Sequence, residues 1–166
     1  MNICVVCSGN ICRSPVAHYI LQRELGNRHI VFSAGTLGIV GSSAYQECVF
    51  LAPYYKINLT QHKSQGITLD LLNKSDIFLT MTKVHSKTLV QIYKVPQEKI
   101  NLLSNYLPEN RTFNLGILGS ITKGDDIPDP MGMESKSVKP VLDILELACI
   151  GFAKSIQDKQ EIDCKK

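Results

Sequence analysis

The residues best suited to chemistry form one stretch, Cys7-Ser8-Gly9-Asn10-Ile11-Cys12-Arg13-Ser14. It follows an apolar run that ends at Val6, and it leads through Pro15 into an amphipathic segment. A loop that turns from a strand into a helix points several backbone N–H groups inward, and the positive end of the helix dipole adds to them. The stretch therefore predicts an anion-binding loop between a strand and a helix.

The residue types in this loop suit one reaction, the transfer of a phosphoryl group to sulfur. Gly9 and Asn10 tolerate backbone angles that other residues resist. Arg13 has a planar fork of donors that can bind two oxygens of a phosphate. Cys7 lies at the mouth of the loop, where the N–H groups and Arg13 favour its nucleophilic thiolate. We therefore predict phosphate binding by Ser8, Gly9, Asn10, Ile11, Cys12, Arg13 and Ser14, and we call residues 7–14 the phosphate loop.

A zinc or redox motif is the competing interpretation of these cysteines. The spacing Cys4-x-x-Cys7, with Cys12 nearby, has the residue types for either motif. However, Cys4 lies inside the apolar run, which predicts a buried strand, and no second Cys/His pair at ligand spacing follows. The strand before the loop, the glycine within it and the Ser-Pro pair after it favour phosphate.

The stretch from Val6 to Pro15 resembles the signature of the low-molecular-weight protein tyrosine phosphatase family. The resemblance extends over residues 1 to about 156 and implies a single α/β domain with the loop after strand 1. It implies a cysteine-dependent hydrolase that needs no metal or other cofactor and forms a cysteinyl-phosphate. The expected substrates are phosphotyrosine-containing proteins or small aryl phosphates.

A phosphate ester also needs a proton on its departing oxygen, which a thiolate cannot supply. In the family, an Asp-Pro pair on a late loop carries this general acid, and Asp129-Pro130 matches it, although such a pair is also an ordinary turn. By the resemblance, Asp129 first acts as acid and then as base for the hydrolytic water. Asp125, Asp126 and Asp129 also suggest a metal site, but a metal would duplicate the work of Arg13.

Several supporting roles depend on the resemblance alone. Asn10, Ser33 and His62 are expected to form a network that holds the loop, with His62 bonded to Ser33. The competing interpretation of His62 is a surface histidine in a polar stretch. Ser14 is expected to donate its hydroxyl to the Cys7 thiolate.

The remaining cysteines bear on two further alternatives. Cys12 is expected within reach of Cys7, where family members can form a protective disulfide; alternatively, it is a small apolar filler. Thioredoxin-coupled arsenate reductases share the loop but need two more cysteines after the third strand. Between Cys48 and Cys149 this chain has none, which excludes that function.

The substrate prediction depends mainly on Ile11, an apolar side chain that suits an aromatic ring. Related protein-arginine phosphatases carry threonine at this position, so Ile11 favours phosphotyrosine. Two features favour the arginine phosphatase instead: residues 131–133 replace the aromatic pair of many tyrosine phosphatases, and residues 79–82 resemble the arginine branch. A catalytically idle phosphate-binding module is disfavoured because nucleophile, arginine and acid occur together.

Apolar runs and helical spacing predict an α/β fold, a doubly wound four-stranded parallel sheet with helices on both faces. A crossover of strand, helix and strand puts the loop at the carboxyl end of strand 1, where such sheets bind ligands. The predicted strands are residues 1–6, 30–32, 77–81 and 100–103. The predicted helices are residues 15–25, 44–55 with an early end or a kink at Pro53, 69–72, 85–93 and 138–156. Residues 109–124 are predicted to form a long loop.

Size and composition predict one phosphatase domain over residues 1–156 and a polar, frayed tail over residues 157–166. The net charge of +3 comes without a Lys/Arg run, which disfavours nucleic acid as a partner. The chain has no stretch of transmembrane length and starts with strand-like sequence, which disfavours a membrane. Six cysteines without a disulfide framework predict a cytoplasmic protein.

Overall fold

The computed structural model describes the backbone of residues 1–163 and the side chains of residues 1–158. Its main sheet has four strands in the order β2-β1-β3-β4, and every pair in it is parallel. The predicted doubly wound sheet is confirmed. The strands are β1 (Asn2–Cys7), β2 (Ile30–Gly35), β3 (Ile77–Thr80) and β4 (Ile100–Leu102).

Helices cover both faces of this sheet because β1, one of its two inner strands, is apolar on both sides. Ile3 and Val5 of β1 face the larger core, whereas Cys4 and Val6 face the smaller one, as expected when successive side chains alternate. The first, second and fifth helices pack on the larger core, and the third and fourth on the smaller one. The helices are α1 (Arg13–Leu25), α2 (Gln46–Leu51), α3 (Leu69–Lys74), α4 (Lys83–Gln91) and α5 (Ser135–Asp163).

Two segments differ most from the sequence-based expectation, the predicted long loop over residues 109–124 and the last helix. A small antiparallel hairpin, β5 (Phe113–Asn114) and β6 (Ser120–Ile121), lies within the predicted long loop. Its buried Phe113 and Ile121 join the larger core, which explains why two very short strands form there.

α2 ends at Leu51 and continues as a 3₁₀ turn, so the early end predicted from Pro53 is confirmed.

The last helix is longer than predicted. α5 continues past Gln157 to Asp163, where we expected a frayed tail, and the sequence beyond Gln157 contains no proline or glycine to end it. Residues 164–166 of the predicted tail lie outside the described residues, and the domain boundary at 156 stays a prediction. In the part of the chain that the structure describes, no helix has both the length and the apolar character to cross a bilayer.

Candidate active site

The phosphate loop connects the carboxyl end of β1 to the start of α1. Asn10 has a φ of 55°, a left-handed conformation that asparagine tolerates. Its backbone N–H donates to Cys7 Sγ at 3.3 Å, and its side-chain amide donates to Ser14 Oγ at 2.9 Å. Ser14 Oγ lies 3.0 Å from Cys7 Sγ, and because it accepts from Asn10, its own proton is available to the sulfur. The loop therefore directs two donors at the Cys7 thiol.

The end of β2 supports this loop through direct backbone contact. A Cβ on Gly35 would lie 2.6 Å from the Ser8 carbonyl oxygen and would also meet the backbone of the next two residues. Thr36 N donates to Cys7 O at 3.0 Å, and Leu37 N donates to Ser8 O at 2.9 Å. Only glycine permits this close approach, which gives a physical reason for a glycine at this point of the chain.

The predicted supporting residues lie near the loop, but their partners differ from the expectation. His62 Nε2 donates to the carbonyl oxygen of Asn10 at 2.8 Å. The expected bond between His62 and Ser33 is wrong: Ser33 lies on the face of β2 that packs against α1, and its hydroxyl pairs with His18 Nδ1 at 3.1 Å. Gln65 connects the two groups, because its backbone N–H donates to Asn10 Oδ1 and its side chain donates to Ser33 O.

Arg13 and Asp129 meet across the mouth of the loop. The Arg13 side chain is buried; Nη1 donates to Ile127 O at 2.8 Å, and Nη2 lies 2.5 Å from Asp129 Oδ2. Arg13 Nε is also buried and has no hydrogen-bond partner among the described residues. Since buried donors are rarely unpaired, an anion bound in the loop would supply the missing acceptor. We call residues 122–134, which carry Asp129, the acid loop.

The three aspartates of the acid loop do not converge on one point. Asp125 Oδ2 accepts from the backbone N–H and hydroxyl of Thr122, and Asp126 Oδ1 accepts from Lys83 N. Only Asp129 reaches the phosphate loop. Within the described residues, no group of three or more His, Cys, Asp or Glu side chains is arranged to hold a metal ion.

The second cysteine of the loop contacts a different thiol from the one expected. Cys12 Sγ lies 3.1 Å from Cys48 Sγ in α2, and both residues are buried. The hydrogen bond with Cys48, together with burial, raises the pKa of Cys12. The predicted disulfide between Cys12 and Cys7 stays a prediction.

These side chains enclose a cleft of about 150 Å³ at the carboxyl end of β1. Cys7, Ser8 and Arg13 form its polar part, and Asp129 lies at its edge. Its apolar walls are Ile11, Leu37, Ile39 and Met131. Two members of the predicted phosphate-binding set, Asn10 and Ser14, are fully buried behind the loop, so they brace the loop and do not line the cleft.

The contacts of two further residues near the loop were not predicted from the sequence. His85 Nε2 lies 2.9 Å from Ser8 Oγ. Tyr45 connects the phosphate loop to the acid loop, because its N–H donates to Ile11 O and its hydroxyl donates to Met133 O, both at 2.8 Å. Both contacts join segments far apart in the chain, and no local pattern marks either residue.

Comparisons with known proteins agree with this geometry. The family model described as low molecular weight phosphotyrosine protein phosphatase matches residues 2–162. The low molecular weight protein-tyrosine-phosphatase Ptp of Acinetobacter johnsonii is 33% identical over 129 residues, which cover 78% of this chain and 79% of that protein. The tyrosine phosphatase Wzb from Escherichia coli K30, solved with sulphate, has a TM-score of 0.78 at 27% identity, covering 93% of this chain and 97% of its own. The YwlE arginine phosphatase from Geobacillus stearothermophilus has a TM-score of 0.81 at 25% identity, covering 96% of this chain and 94% of its own. This chain belongs to the low molecular weight phosphotyrosine protein phosphatase family.

Proposed function

We propose that this chain hydrolyses phosphotyrosine, in proteins or in small aryl phosphates, through a cysteinyl-phosphate intermediate. The observation that carries the proposal is the convergence of Cys7, Arg13 and Asp129 on one cleft. Relatives named as tyrosine phosphatases support the same substrate. The reaction uses no metal or other cofactor, and neither nucleic acid nor a membrane takes part in it.

In the first step, Cys7 Sγ attacks phosphorus and the bond from phosphorus to the tyrosyl oxygen breaks. Asp129 gives its proton to that oxygen, so the product leaves as a neutral phenol. In the second step, Asp129 takes a proton from a water that attacks phosphorus, and the sulfur–phosphorus bond breaks. Inorganic phosphate is released and the Cys7 thiolate returns.

Binding of the substrate prepares Asp129 for this work. Arg13 Nη2 contacts the Asp129 carboxylate directly. A phosphate seated on the loop N–H groups takes over the Arg13 guanidinium, because a dianion competes well for a bidentate cation. The carboxyl of Asp129 is then free to hold the proton that the leaving oxygen needs. Ser14 donates to the Cys7 thiolate, and Asn10, His62 and Ser33 support the loop backbone.

The walls of the cleft favour an aromatic substrate. Ile11, Leu37 and Ile39 offer apolar surface to a ring, and Met131 adds a thioether, which makes favourable sulfur–aromatic contacts. A phosphoguanidine carries N–H groups that need acceptors, and among the described residues lining the cleft Asp129 is the only carboxylate. Phosphotyrosine is therefore the better fit.

The second candidate function is phosphoarginine hydrolysis, favoured by the structural similarity to the YwlE arginine phosphatase. Peptides carrying either phosphoresidue, assayed side by side, separate the two. We expect the wild-type chain to prefer phosphotyrosine and Ile11→Thr to shift the preference toward phosphoarginine. Ile11→Val is the matched control, because it has the shape of threonine without the hydroxyl. A wild-type preference for phosphoarginine would exclude our assignment.

The nucleophile is tested by Cys7→Ser. We expect hydrolysis of an aryl phosphate to fall by a factor of about 1,000 or more, because a serine hydroxyl is a far weaker nucleophile than a thiolate. Phosphate binding, followed by calorimetry, should persist, since Arg13 and the loop N–H groups remain. Cys149→Ala is the control: it removes a buried thiol outside the cleft, and this variant should hydrolyse the aryl phosphate as fast as the wild type. Unchanged turnover in Cys7→Ser would contradict the proposed mechanism.

The proposal includes a cytoplasmic location for the protein. The five cysteines within the described residues are free and buried, as suits a reducing compartment. Cell fractionation tests this; recovery from an oxidising compartment would contradict it.

A further inference from the structure

His85 is a buried histidine beside the cleft that the mechanism above does not use. It lies in the first turn of α4, just beyond the carboxyl end of β3, and is 5% exposed. Nε2 lies 2.9 Å from Ser8 Oγ, and Nδ1 lies 2.9 Å from Thr82 Oγ1. Burial, with a further contribution from the charge of Arg13, lowers the pKa of His85 to about 4. Near neutral pH the ring is therefore uncharged and carries a single N–H.

The hydrogen bonds of Thr82 favour one ring nitrogen as the carrier of that proton. Thr82 caps α4, and its Oγ1 accepts the backbone N–H of His85 at 3.2 Å. Among the described residues, Nδ1 is the only acceptor within hydrogen-bond distance of the Thr82 hydroxyl proton, so we assign the hydroxyl as the donor and Nδ1 as the acceptor. A neutral ring that accepts at Nδ1 carries its proton on Nε2 and donates it to Ser8 Oγ.

The direction of this bond determines what Ser8 offers to the cleft. When the ring donates to Ser8 Oγ, the hydroxyl proton of Ser8 stays free. With the opposite tautomer, the Ser8 hydroxyl would donate its proton to His85 Nε2. Ser8 would then present only lone pairs to the cleft, and these repel an anion. Because Ser8 lines the cleft beside Cys7, the first arrangement adds a hydrogen-bond donor there.

We propose that His85 is a positioning residue: its Nε2–H donates to Ser8 Oγ and thereby leaves the Ser8 hydroxyl to donate to the bound substrate. This inference rests on the proposed function, since it concerns the same cleft. His85 itself does not touch the substrate and transfers no proton in the reaction.

The first test locates the ring proton directly and needs no turnover. In the ¹⁵N-labelled wild-type chain with inorganic phosphate, long-range ¹H–¹⁵N spectra show which ring nitrogen is protonated. We expect the His85 proton on Nε2. A proton on Nδ1 would overturn this inference and leave the proposed function intact, whereas a chain that hydrolyses no aryl phosphate would overturn the proposed function.

The second test asks whether His85 acts through Ser8. Ser8→Ala and His85→Leu should each lower kcat/KM for an aryl phosphate about tenfold, as expected for the loss of one hydrogen bond to a charged group. The double variant should be no slower than Ser8→Ala, because His85 has no effect without the hydroxyl. A loss of kcat/KM of about a hundredfold in the double variant, the product of the two single losses, would overturn the proposal.

Rescue separates positioning from mere packing. His85→Gln can still donate to Ser8, so it should stay within about threefold of the wild-type kcat/KM, whereas His85→Leu should not. His29→Gln is the matched control: His29 is also buried with a lowered pKa but lies outside the cleft, and kcat/KM should not change. Equal losses in His85→Gln and His85→Leu at equal melting temperature would contradict the proposal. Should His85→Leu fail to fold, the ring-proton measurement on the wild-type chain decides.

Discussion

Asp129 shows how one exposed carboxylate can take part in a cleft whose other polar groups are buried. Its side chain is 42% exposed, whereas that of Arg13, its partner, is 3% exposed. The neighbouring Asp125 and Asp126 are held by Thr122 and by the backbone of α4. The chemical difference among these three aspartates therefore comes from position, because only one of them reaches the phosphate loop.

Asp129→Ala should slow esters with poor leaving groups much more than esters with good ones. A phenolate that leaves readily needs no proton, whereas an alkoxide or a basic phenolate does. We expect a loss of about a hundredfold with the poorest leaving group in an aryl phosphate series and only a few-fold loss with the best. Steady-state kcat/KM across the series measures this.

Asp126→Asn is the matched control for that series, since it lies in the same loop, keeps an oxygen for Lys83 N and should not change the slope. An equal loss in Asp129→Ala across all leaving groups would show that Asp129 is not the acid.

At the scale of elements, the sequence predicts those features that depend on residues close together in the chain. The order β1, phosphate loop and α1 follows from residues 1–25 alone, because apolar pattern and loop chemistry are local. The partners of Ser33 and Ser8 could not be predicted this way. His18 and His85 reach them only because α1 and α4 pack against the sheet, and no single segment records that packing.

The contact between β2 and the phosphate loop gives an element-scale prediction. Gly35→Ala would place a methyl group against the Ser8 carbonyl, which is backbone and cannot swing aside. We expect the loop to shift, with a loss of kcat/KM of about a hundredfold and a destabilisation of about 1–3 kcal/mol. Aryl phosphate kinetics and urea unfolding measure the two effects.

Gly151→Ala is the comparison that separates these effects. Its Cβ would collide with the Tyr106 carbonyl, outside the cleft, so it should lose stability and keep kcat/KM in the protein that remains folded. If Gly35→Ala kept full activity, the close contact would not set the shape of the loop.

At the scale of the whole molecule, the fold keeps its histidines uncharged. The sequence has four histidines, and burial lowers the pKa of each: His18 and His85 to about 4, and His29 and His62 by less. Three of them contact a predicted site residue: His18 pairs with Ser33, His62 with the carbonyl oxygen of Asn10, and His85 with Ser8. Composition could not reveal this property, because it arises from burial after folding.

Buried neutral histidines make stability depend on pH with a definite sign. In the unfolded chain a histidine has a pKa of about 6.5, so between about pH 6.5 and 4 the unfolded state binds more protons than the folded state. The free energy of unfolding is therefore greatest above this window and falls as the pH is lowered through it. For His18 and His85 the loss by pH 5 is on the order of 2 kcal/mol each, before most carboxylates titrate.

Urea unfolding at pH 7.5, 6 and 5 measures this dependence. His18→Gln removes one titrating group and should flatten the curve, although the variant is less stable at pH 7.5 if its amide fills the site poorly. The informative quantity is thus the slope with pH and not the absolute stability, because lost packing lowers the curve equally at every pH. A wild-type curve that is flat from pH 7.5 to 5, or a His18→Gln slope equal to that of the wild type, would show that these histidines are not held neutral by the fold.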